Sequence, residues 1–164
     1  MPAEDEDRAA VEQYLHEHIP LSRDMGVTVI ACDAAAGGVR LGAPLAPNLN
    51  HRHTAFGGSL STLPILAAWT LVHTRLRAEL PFPCRVVIRS SSVEYVAPVR
   101  GDFTAFCPAP PADTWARFVR TLERRGKARL ELSAEVYDAD GTVGATFTGE
   151  YVALRGEEEH GAPA

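Results

Sequence analysis

The sequence has no long apolar run, no excess of positive charge and few cysteines. No apolar run reaches 18 residues, and the N-terminal segment MPAEDED is acidic, so we expect neither a membrane span nor a secretory signal. The formal net charge of −5 argues against nucleic acid as the main partner. Three scattered cysteines in apolar, strand-like segments indicate buried free thiols in a reducing cytoplasm: Cys32, Cys84 and Cys107. We therefore predict a cytoplasmic protein that binds neither membranes nor nucleic acid.

The length and composition are those of one ordinary globular domain. The chain has 164 residues, of which 46% are hydrophobic and 23% are charged, which is enough to bury a substantial core. No internal repeat or linker divides the chain, so we predict a single domain over residues 1–155. Residues 156–164 (GEEEHGAPA) are acidic and small, and we predict a disordered tail there.

One stretch, residues 48–76, organises the chain. A polar loop rich in Asn and His leads to the pair Gly57-Gly58, and an almost wholly apolar segment over residues 63–72 follows. A helix that has no polar stripe must be surrounded by the rest of the fold. Its first N–H groups have no partner within the helix and point at any polarised or anionic oxygen that arrives. We therefore expect any chemistry at the start of this helix.

Hydrophobic periodicity predicts three helices and six strands. The helices are expected at residues 4–19, 56–79 and 113–125. The strands are expected at residues 27–33, 39–43, 85–96, 102–107, 128–137 and 142–154. Hairpins dominate the second half and βαβ alternation is absent. The predicted fold class is therefore α+β, with an antiparallel sheet wrapped around one long central helix.

The sequence also predicts how the helices begin and end. Pro20 is expected to close the first helix, and Asp113 is expected to cap the last one. Inside a helix, Pro64 removes one backbone hydrogen bond. Either the first turn from Gly57 is irregular, or the regular helix begins near Ser61 with the proline in its first turn.

The central stretch combines an Asn-x-Asn, a Thr-x-Phe-Gly-Gly-Ser and a Leu-rich helix that contains Trp, and the strand 85–96 continues into Tyr95-Val96-Ala97-Pro98-Val99. With these motifs the sequence resembles the hotdog-fold thioesterases over roughly residues 5–155. It is most similar to a subgroup found alone or behind an acetyltransferase domain. The matching residues are Asn48, Asn50, Thr54, Phe56, Gly57, Gly58, Ser59, Leu60, Leu63, Leu66 and Trp69.

The resemblance implies a hotdog fold, hydrolysis of acyl thioesters without metal or organic cofactor, and a homodimer or tetramer. Hotdog proteins pair the edge of the strand that corresponds to residues 85–96 across a two-fold axis. An unpaired edge of that length would otherwise be exposed in a monomer. The predicted substrates are acyl-CoA or acyl-carrier-protein thioesters.

Two positions depart from the common acyl-CoA thioesterase branch of that family. In that branch an Asn precedes a His-Gly-Gly by six residues; here Asn50 has the matching register, but Phe56 replaces the His. The branch also carries an acid nine residues after the His, and Ile65 occupies that position. Either a different base serves, or the domain binds acyl groups without hydrolysing them.

We predict catalytic roles for Asn50, His53 and Gly58. An N–H at Gly57-Gly58 would stabilise the oxyanion of an attacked thioester, and the Asn50 amide would donate a second hydrogen bond. In an extended loop His51 and His53 would point in opposite directions, and His53 is the chosen general base. Packing, loop bracing and solvent exposure are the competing explanations. The two histidines have no third ligand nearby, so no metal site is expected.

Further polar residues are predicted to line the substrate pocket. Thr54 and Ser59 flank the helix start, where capping is the competing explanation. Ser90, Ser92 and Glu94 share one face of the long strand, where polar residues would line a pocket or a subunit contact. Glu94 is the carboxylate best placed in the pattern to replace the missing acid, and a solvated strand end is the competing explanation. The predicted substrate-binding residues are Asn48, Thr54, Phe56, Gly57, Ser59, Ser90 and Ser92.

A basic cluster stands out in this acidic protein: Arg117, Arg120, Arg124, Arg125, Lys127 and Arg129. It would suit the phosphates of coenzyme A or the acidic face of a carrier protein, and a solvated helix face is the competing explanation. The predicted function is a thioesterase. The alternatives are a non-catalytic acyl- or acyl-CoA-binding module and, less favoured, a hotdog dehydratase or hydratase.

Overall fold

The computed structural model describes the backbone of residues 2–156 and the side chains of residues 7–156. Beyond Gly156, the tail predicted from the sequence lies outside the described residues. The helices are α1 (Pro2–His18), α2 (Pro20–Asp24), α3 (Gly57–Glu79) and α4 (Ala112–Arg125). The strands are β1 (Thr28–Asp33), β2 (Gly38–Ala43), β3 (Cys84–Tyr95), β4 (Phe103–Cys107), β5 (Lys127–Tyr137) and β6 (Val143–Arg155), and a 3-10 turn spans Ala46–Asn48.

The six strands form one antiparallel sheet in the order β1-β2-β4-β5-β6-β3. Helix α3 packs against five of them, from β2 to β6. The clean alternation of β5 places Leu130, Leu132, Ala134 and Val136 in the core, as its sequence pattern predicted. The structure thus confirms the predicted α+β hotdog fold, an antiparallel sheet wrapped around one long helix.

Helix α3 is buried around most of its circumference, which satisfies its nearly uniform apolar character. Leu63, Ala67 and Leu71 have no solvent-accessible surface. Tyr151 of β6 reaches the helix and donates a hydrogen bond of 2.8 Å from its hydroxyl to the carbonyl oxygen of Ile65. Burial raises the pKa of Tyr151, so its hydroxyl stays protonated as a donor. Neither α3 nor any other helix within the described residues is long and apolar enough to cross a bilayer.

Three predicted helix boundaries need correction. Helix α1 ends at His18, and Pro20 begins the short helix α2 because a proline fits the first turn of a helix. Helix α3 runs from Gly57 through Pro64, which excludes a start near Ser61. The predicted cap by Asp113 is wrong, because its carboxylate accepts the N–H of the adjacent Thr114 and α4 starts without a side-chain cap.

Strand β3 lies at the edge of the sheet and contains a bulge. It pairs with β6 alone, and the register shifts between Ile88 and Ser90. A bulge reverses the alternation of side chains along a strand. Val86 before the bulge and Val93 after it both pack against the core, an odd number of residues apart. Beyond the bulge, odd-numbered residues therefore face α3, and Tyr95 lies on this inner face.

We predict that Gly38→Ala destabilises the fold far more than Gly141→Ala. Both glycines have positive φ angles, +95° and +85°, so each alanine carries backbone strain of about 1–2 kcal/mol. At Gly38 an added Cβ would also lie 2.4 Å from the carbonyl oxygen of Cys107 on β4, whereas at Gly141 it would meet nothing within 4 Å. Chemical denaturation should give a loss of roughly 3 kcal/mol or more for Gly38→Ala. Equal losses for the two variants would contradict this packing.

Candidate functional site

The N-terminal end of α3 presents two backbone N–H groups that have no acceptor within the described residues. The carbonyl oxygen of Phe56 accepts the N–H groups of Ser59 and Leu60, at 2.9 and 3.1 Å. No side chain caps the helix, and no described group accepts from the N–H of Gly57 or Gly58. Both glycines are half-buried. Two N–H dipoles at a helix start are suited to a polarised carbonyl oxygen or an oxyanion.

The two glycines have different steric surroundings. A Cβ on Gly58 would lie 2.3 Å from Cε1 of Phe56, whose ring covers this peptide and is itself 56% exposed. A Cβ on Gly57 would lie 3.4–3.5 Å from the ring of Tyr95, which is an ordinary contact. A side chain at position 58 would therefore displace the exposed Phe56 ring from its present place.

Tyr95 closes the other side of the helix start. Its side chain is 58% exposed, and its hydroxyl donates a hydrogen bond of 3.0 Å to the carbonyl oxygen of Gly57. No functional role was predicted for Tyr95 from the sequence. The sequence feature that could have pointed to Tyr95 is its position at the end of the long strand, where the motif shared with the family begins.

Asn48 and Ser59, both predicted to bind substrate, hold the loop to the body of the protein. Asn48 is 3% exposed, and its Nδ2 donates to the carbonyl oxygens of Met25 and Pro44 at 2.9 and 2.7 Å. The Ser59 hydroxyl donates to Asn48 Oδ1 at 2.9 Å. These bonds occupy the Asn48 amide, so we leave both residues out of the proposed site.

Asn50 organises a tight turn over residues 50–54. Its Oδ1 accepts the N–H groups of Arg52 and Thr54, and its Nδ2 donates to Thr54 Oγ1 at 2.8 Å. A second, longer contact of 3.4 Å joins Nδ2 to the carbonyl oxygen of Ala55. The Asn50 side chain is therefore part of the loop scaffold, and its amide reaches an oxyanion only by giving up one of these acceptors.

The loop that carries the histidines is a turn, and the predicted extended conformation is wrong. His53 has a φ of +59°, in the left-handed region, and its N–H donates to the carbonyl oxygen of Asn50. His51 and His53 are both exposed. Neither Thr54 nor Ser59 caps α3, because their hydroxyls bond Asn50 and Asn48.

Ser90, Ser92 and Glu94 lie together on one face of β3, as predicted, but the bulge turns that face away from α3. Their partners on β6 are Glu150, Thr148 and Thr146, which alternate with the buried, inward-facing side chains of that strand. Within one chain the structure therefore does not bring these three residues together with Gly57 and Gly58. Ser91, one residue over, shares the inner face with Tyr95.

A second concave feature lies between α1 and α3. It encloses about 370 Å³ and is lined by Tyr14, Trp69, Thr70, His73 and Arg77 with smaller apolar neighbours. Its rings are stacked, with centroids 4.8 Å apart for Tyr14 and His73 and 4.4 Å apart for Trp69 and His73. The i, i+4 spacing of aromatic and histidine residues in both helices was the sequence signal for this cluster.

The four arginines of the predicted basic cluster that belong to α4 line a concavity of about 320 Å³, whereas Lys127 and Arg129 lie on β5 and do not line it. Trp115 at the start of α4 donates from Nε1 to Glu79 at the C-terminal end of α3, at 2.7 Å. Helix α3 has 23 residues and is therefore roughly 34 Å long. The helix that carries the cluster thus packs at the opposite end of α3 from Gly57. The lining residues are Arg117, Arg120, Thr121, Arg124 and Arg125.

The cysteines do not supply a nucleophile. All three are free thiols. Burial raises the pKa of the Cys107 thiol to about 12, and burial also raises the pKa values of Cys32 and Cys84. The thiolate is the reactive form of cysteine. Among the described residues, moreover, no three His, Cys, Asp or Glu side chains are grouped as a metal site requires.

Comparisons with known proteins agree with this geometry. The chain is similar to a Chlorobaculum tepidum protein of unknown function, with 32% identity, a TM-score of 0.85, and coverage of 93% of this chain and 97% of that one. It is also similar to a "putative thioesterase" from Shewanella oneidensis, with 29% identity, a TM-score of 0.78, and coverage of 92% and 99%. A Pseudomonas aeruginosa protein described as "Probable Thioesterase" shares the fold, with 22% identity, a TM-score of 0.75, and coverage of 90% and 95%.

The family described as "Putative thioesterase (yiiD_Cterm)" matches residues 8–155. This match includes the polar loop, the whole of α3 and all six strands. The structural neighbours include other members of the thioesterase superfamily. The chain therefore belongs to this thioesterase family and has the hotdog fold.

Proposed function

We propose that this protein hydrolyses acyl thioesters of coenzyme A or of an acyl carrier protein at the N-terminal end of α3. The proposal rests on the N–H groups of Gly57 and Gly58, which have no hydrogen-bond acceptor among the described residues. They lie beside a loop that carries amide and imidazole side chains. Membership of a thioesterase family supports the reaction class. The choice between coenzyme A and carrier protein is part of the proposal.

The reaction adds water to the thioester carbonyl carbon and then breaks the C–S bond. Negative charge develops on the carbonyl oxygen, and the N–H of Gly58, with that of Gly57, stabilises it. The products are a carboxylic acid and a thiol, and the proton lost by the attacking water balances the thiolate that leaves. Asn50 supplies a further donor when its Nδ2 turns from the long 3.4 Å contact with Ala55 to the substrate.

His53 is the proposed general base. With Ile65 at the position of the usual acid, α3 carries no carboxylate there. His53 and His51 are the titratable bases of the loop that leads to Gly57. A histidine near neutral pH takes a proton from water and returns it to the leaving sulfur.

Ile65 also favours one rival function, a module that binds acyl groups without hydrolysing them. A panel of acyl-CoA and acyl-carrier-protein esters of different chain length, with detection of free thiol, separates the two. Thiol release supports the proposal. Binding without thiol release supports the module, and hydration or dehydration of an enoyl or hydroxyacyl ester supports a dehydratase; both outcomes contradict hydrolysis.

The active form is proposed to be a homodimer or tetramer. The edge strand β3 exposes Val87, Ile88 and Tyr95, and nothing in the described chain covers its outer edge. Long exposed apolar edges are avoided in natural sheets. Pairing of two β3 edges would cover this one.

We predict that Asn50→Ala lowers kcat/KM about a hundredfold, the scale of one lost oxyanion donor. Thr54→Val is the matched control, because it removes the Thr54 Oγ1 acceptor of the same Asn50 Nδ2 but leaves the amide in place. Its loss should be much smaller if Asn50 acts on the substrate. Similar losses for the two variants would show that Asn50 only braces the loop.

His53→Asn is predicted to lower kcat about a hundredfold and to flatten the acid side of the pH–rate profile. If a histidine is the base, the rate of the unaltered enzyme should fall on the acid side of neutral pH. Asn tolerates the left-handed φ of +59° at this position, so the loop keeps its shape. His51→Asn is the control and should be mild. An unchanged acid limb in His53→Asn would remove His53 from the mechanism.

Sedimentation at micromolar concentration should give at least twice the chain mass of 17.7 kDa. Val87→Lys on the β3 edge should shift the protein toward monomer, because it places a charge in the proposed interface. Leu21→Lys serves as control, since Leu21 is a similarly exposed apolar residue on α2. A stable monomer of the unaltered protein would refute the proposed pairing.

A further inference from the structure

Tyr95 and the proposed oxyanion donor act on the two ends of one peptide group. The carbonyl of Gly57 and the N–H of Gly58 belong to the same planar unit, and in a trans peptide they point in opposite directions. The Tyr95 hydroxyl donates to that carbonyl oxygen at 3.0 Å. Any rotation of this peptide therefore changes both the Tyr95 hydrogen bond and the direction of the Gly58 N–H.

We propose that Tyr95 is a positioning residue for hydrolysis, which fixes and polarises the Gly57–Gly58 peptide so that its N–H is aimed at the developing oxyanion. This inference rests on the proposed function and adds a residue to its machinery. Tyr95 acts through the peptide and does not itself contact the reacting atoms.

Two physical effects support the role. Glycine has a wide range of allowed backbone angles, so a Gly-Gly peptide in the uncapped first turn of a helix is held less firmly than later peptides unless a neighbour supports it. The Tyr95 ring also lies against Gly57, at van der Waals distance from where its Cβ would be, which restricts the same peptide sterically. In addition, a hydrogen bond accepted by a carbonyl strengthens the donor at the other end of the amide, because such bonds polarise one another.

The strand geometry explains why this residue reaches the site. The bulge between Ile88 and Ser90 turns Tyr95 to the inner face of β3, at the end where the strand passes the start of α3. If the same residues formed a regular strand without the bulge, Glu94 would face the helix instead. The bulge thus places a hydroxyl, which donates a hydrogen bond, next to the carbonyl oxygen of Gly57. A carboxylate in the same place would be repelled by that oxygen.

The test compares Tyr95→Phe with Tyr137→Phe in the full-length protein. Both variants keep the aromatic ring and remove a hydroxyl that donates a hydrogen bond, but Tyr137 bonds the carboxylate of Glu135 on β5. Tyr95→Phe should lower kcat by about three- to tenfold, the effect of one hydrogen bond between neutral groups, with little change in KM. Tyr137→Phe should leave both parameters within twofold.

Two inhibitors separate positioning from substrate contact. A thioether analogue of acyl-CoA mimics the ground state, and a trifluoromethyl ketone analogue, whose hydrate carries an oxyanion, mimics the intermediate. Tyr95→Phe should weaken the ketone by the same factor as kcat and leave the thioether unchanged. In a ¹⁵N–¹H spectrum, the Gly58 amide resonance should shift in Tyr95→Phe and stay in place in Tyr137→Phe.

The failures are distinguishable. Unchanged kcat in Tyr95→Phe, equal weakening of both inhibitors, or a rise in KM alone overturns the role of Tyr95 while hydrolysis stands. Absence of thiol release by the unaltered protein overturns the proposed function and, with it, the role of Tyr95, whatever the Gly58 resonance does.

Discussion

The structure depends on the burial of one helix whose side chains are apolar almost all the way round. Such a helix has no face that can remain in water, so the sheet must enclose it, and side chains of α1 and α4 contact its C-terminal half. In the core, the Tyr151 hydroxyl also donates a hydrogen bond to the carbonyl oxygen of Ile65, which fastens β6 to the helix. Because the core holds the middle of α3, the N-terminal end of the helix lies at a defined place on the surface. The N–H groups of Gly57 and Gly58 are therefore held in a fixed position.

Polar side chains at the start of α3 form hydrogen bonds within the preceding loop and do not cap the helix. Asn48 donates to backbone carbonyl oxygens and accepts from the Ser59 hydroxyl, and Asn50 accepts from N–H groups of the loop. Within the part of the chain that the structure describes, the N–H groups of Gly57 and Gly58 consequently remain without acceptors. A helix without a side-chain cap is less stable. In this protein the missing cap leaves two N–H groups at the start of α3 that can bind a polarised oxygen.

The fold and the place of the site follow from the sequence, but several side-chain roles do not. Periodicity locates α3 and the alternation of β5, because burial repeats with the geometry of each element. The bulge at Arg89 leaves no signature in a run of small polar residues, so the sequence alone does not show that Ser90 and Ser92 face away from α3, and it leaves Tyr95 without a role. The hydrogen bonds of Asn48 and Asn50 depend on where Met25, Pro44 and Thr54 come to lie, which is tertiary information.

Strand β3 is attached to α3 near both of its ends. Trp69 donates from Nε1 to the carbonyl oxygen of Val86 at 2.9 Å, and Tyr95 donates to Gly57. A strand fixed at two points has a fixed number of residues between them, and a shift of one residue exchanges its faces. An insertion or deletion between residues 86 and 95 would therefore break one of the two hydrogen bonds or exchange the faces of the strand, unless a further bulge absorbed it. The two contacts with the helix thus fix the length of this edge strand.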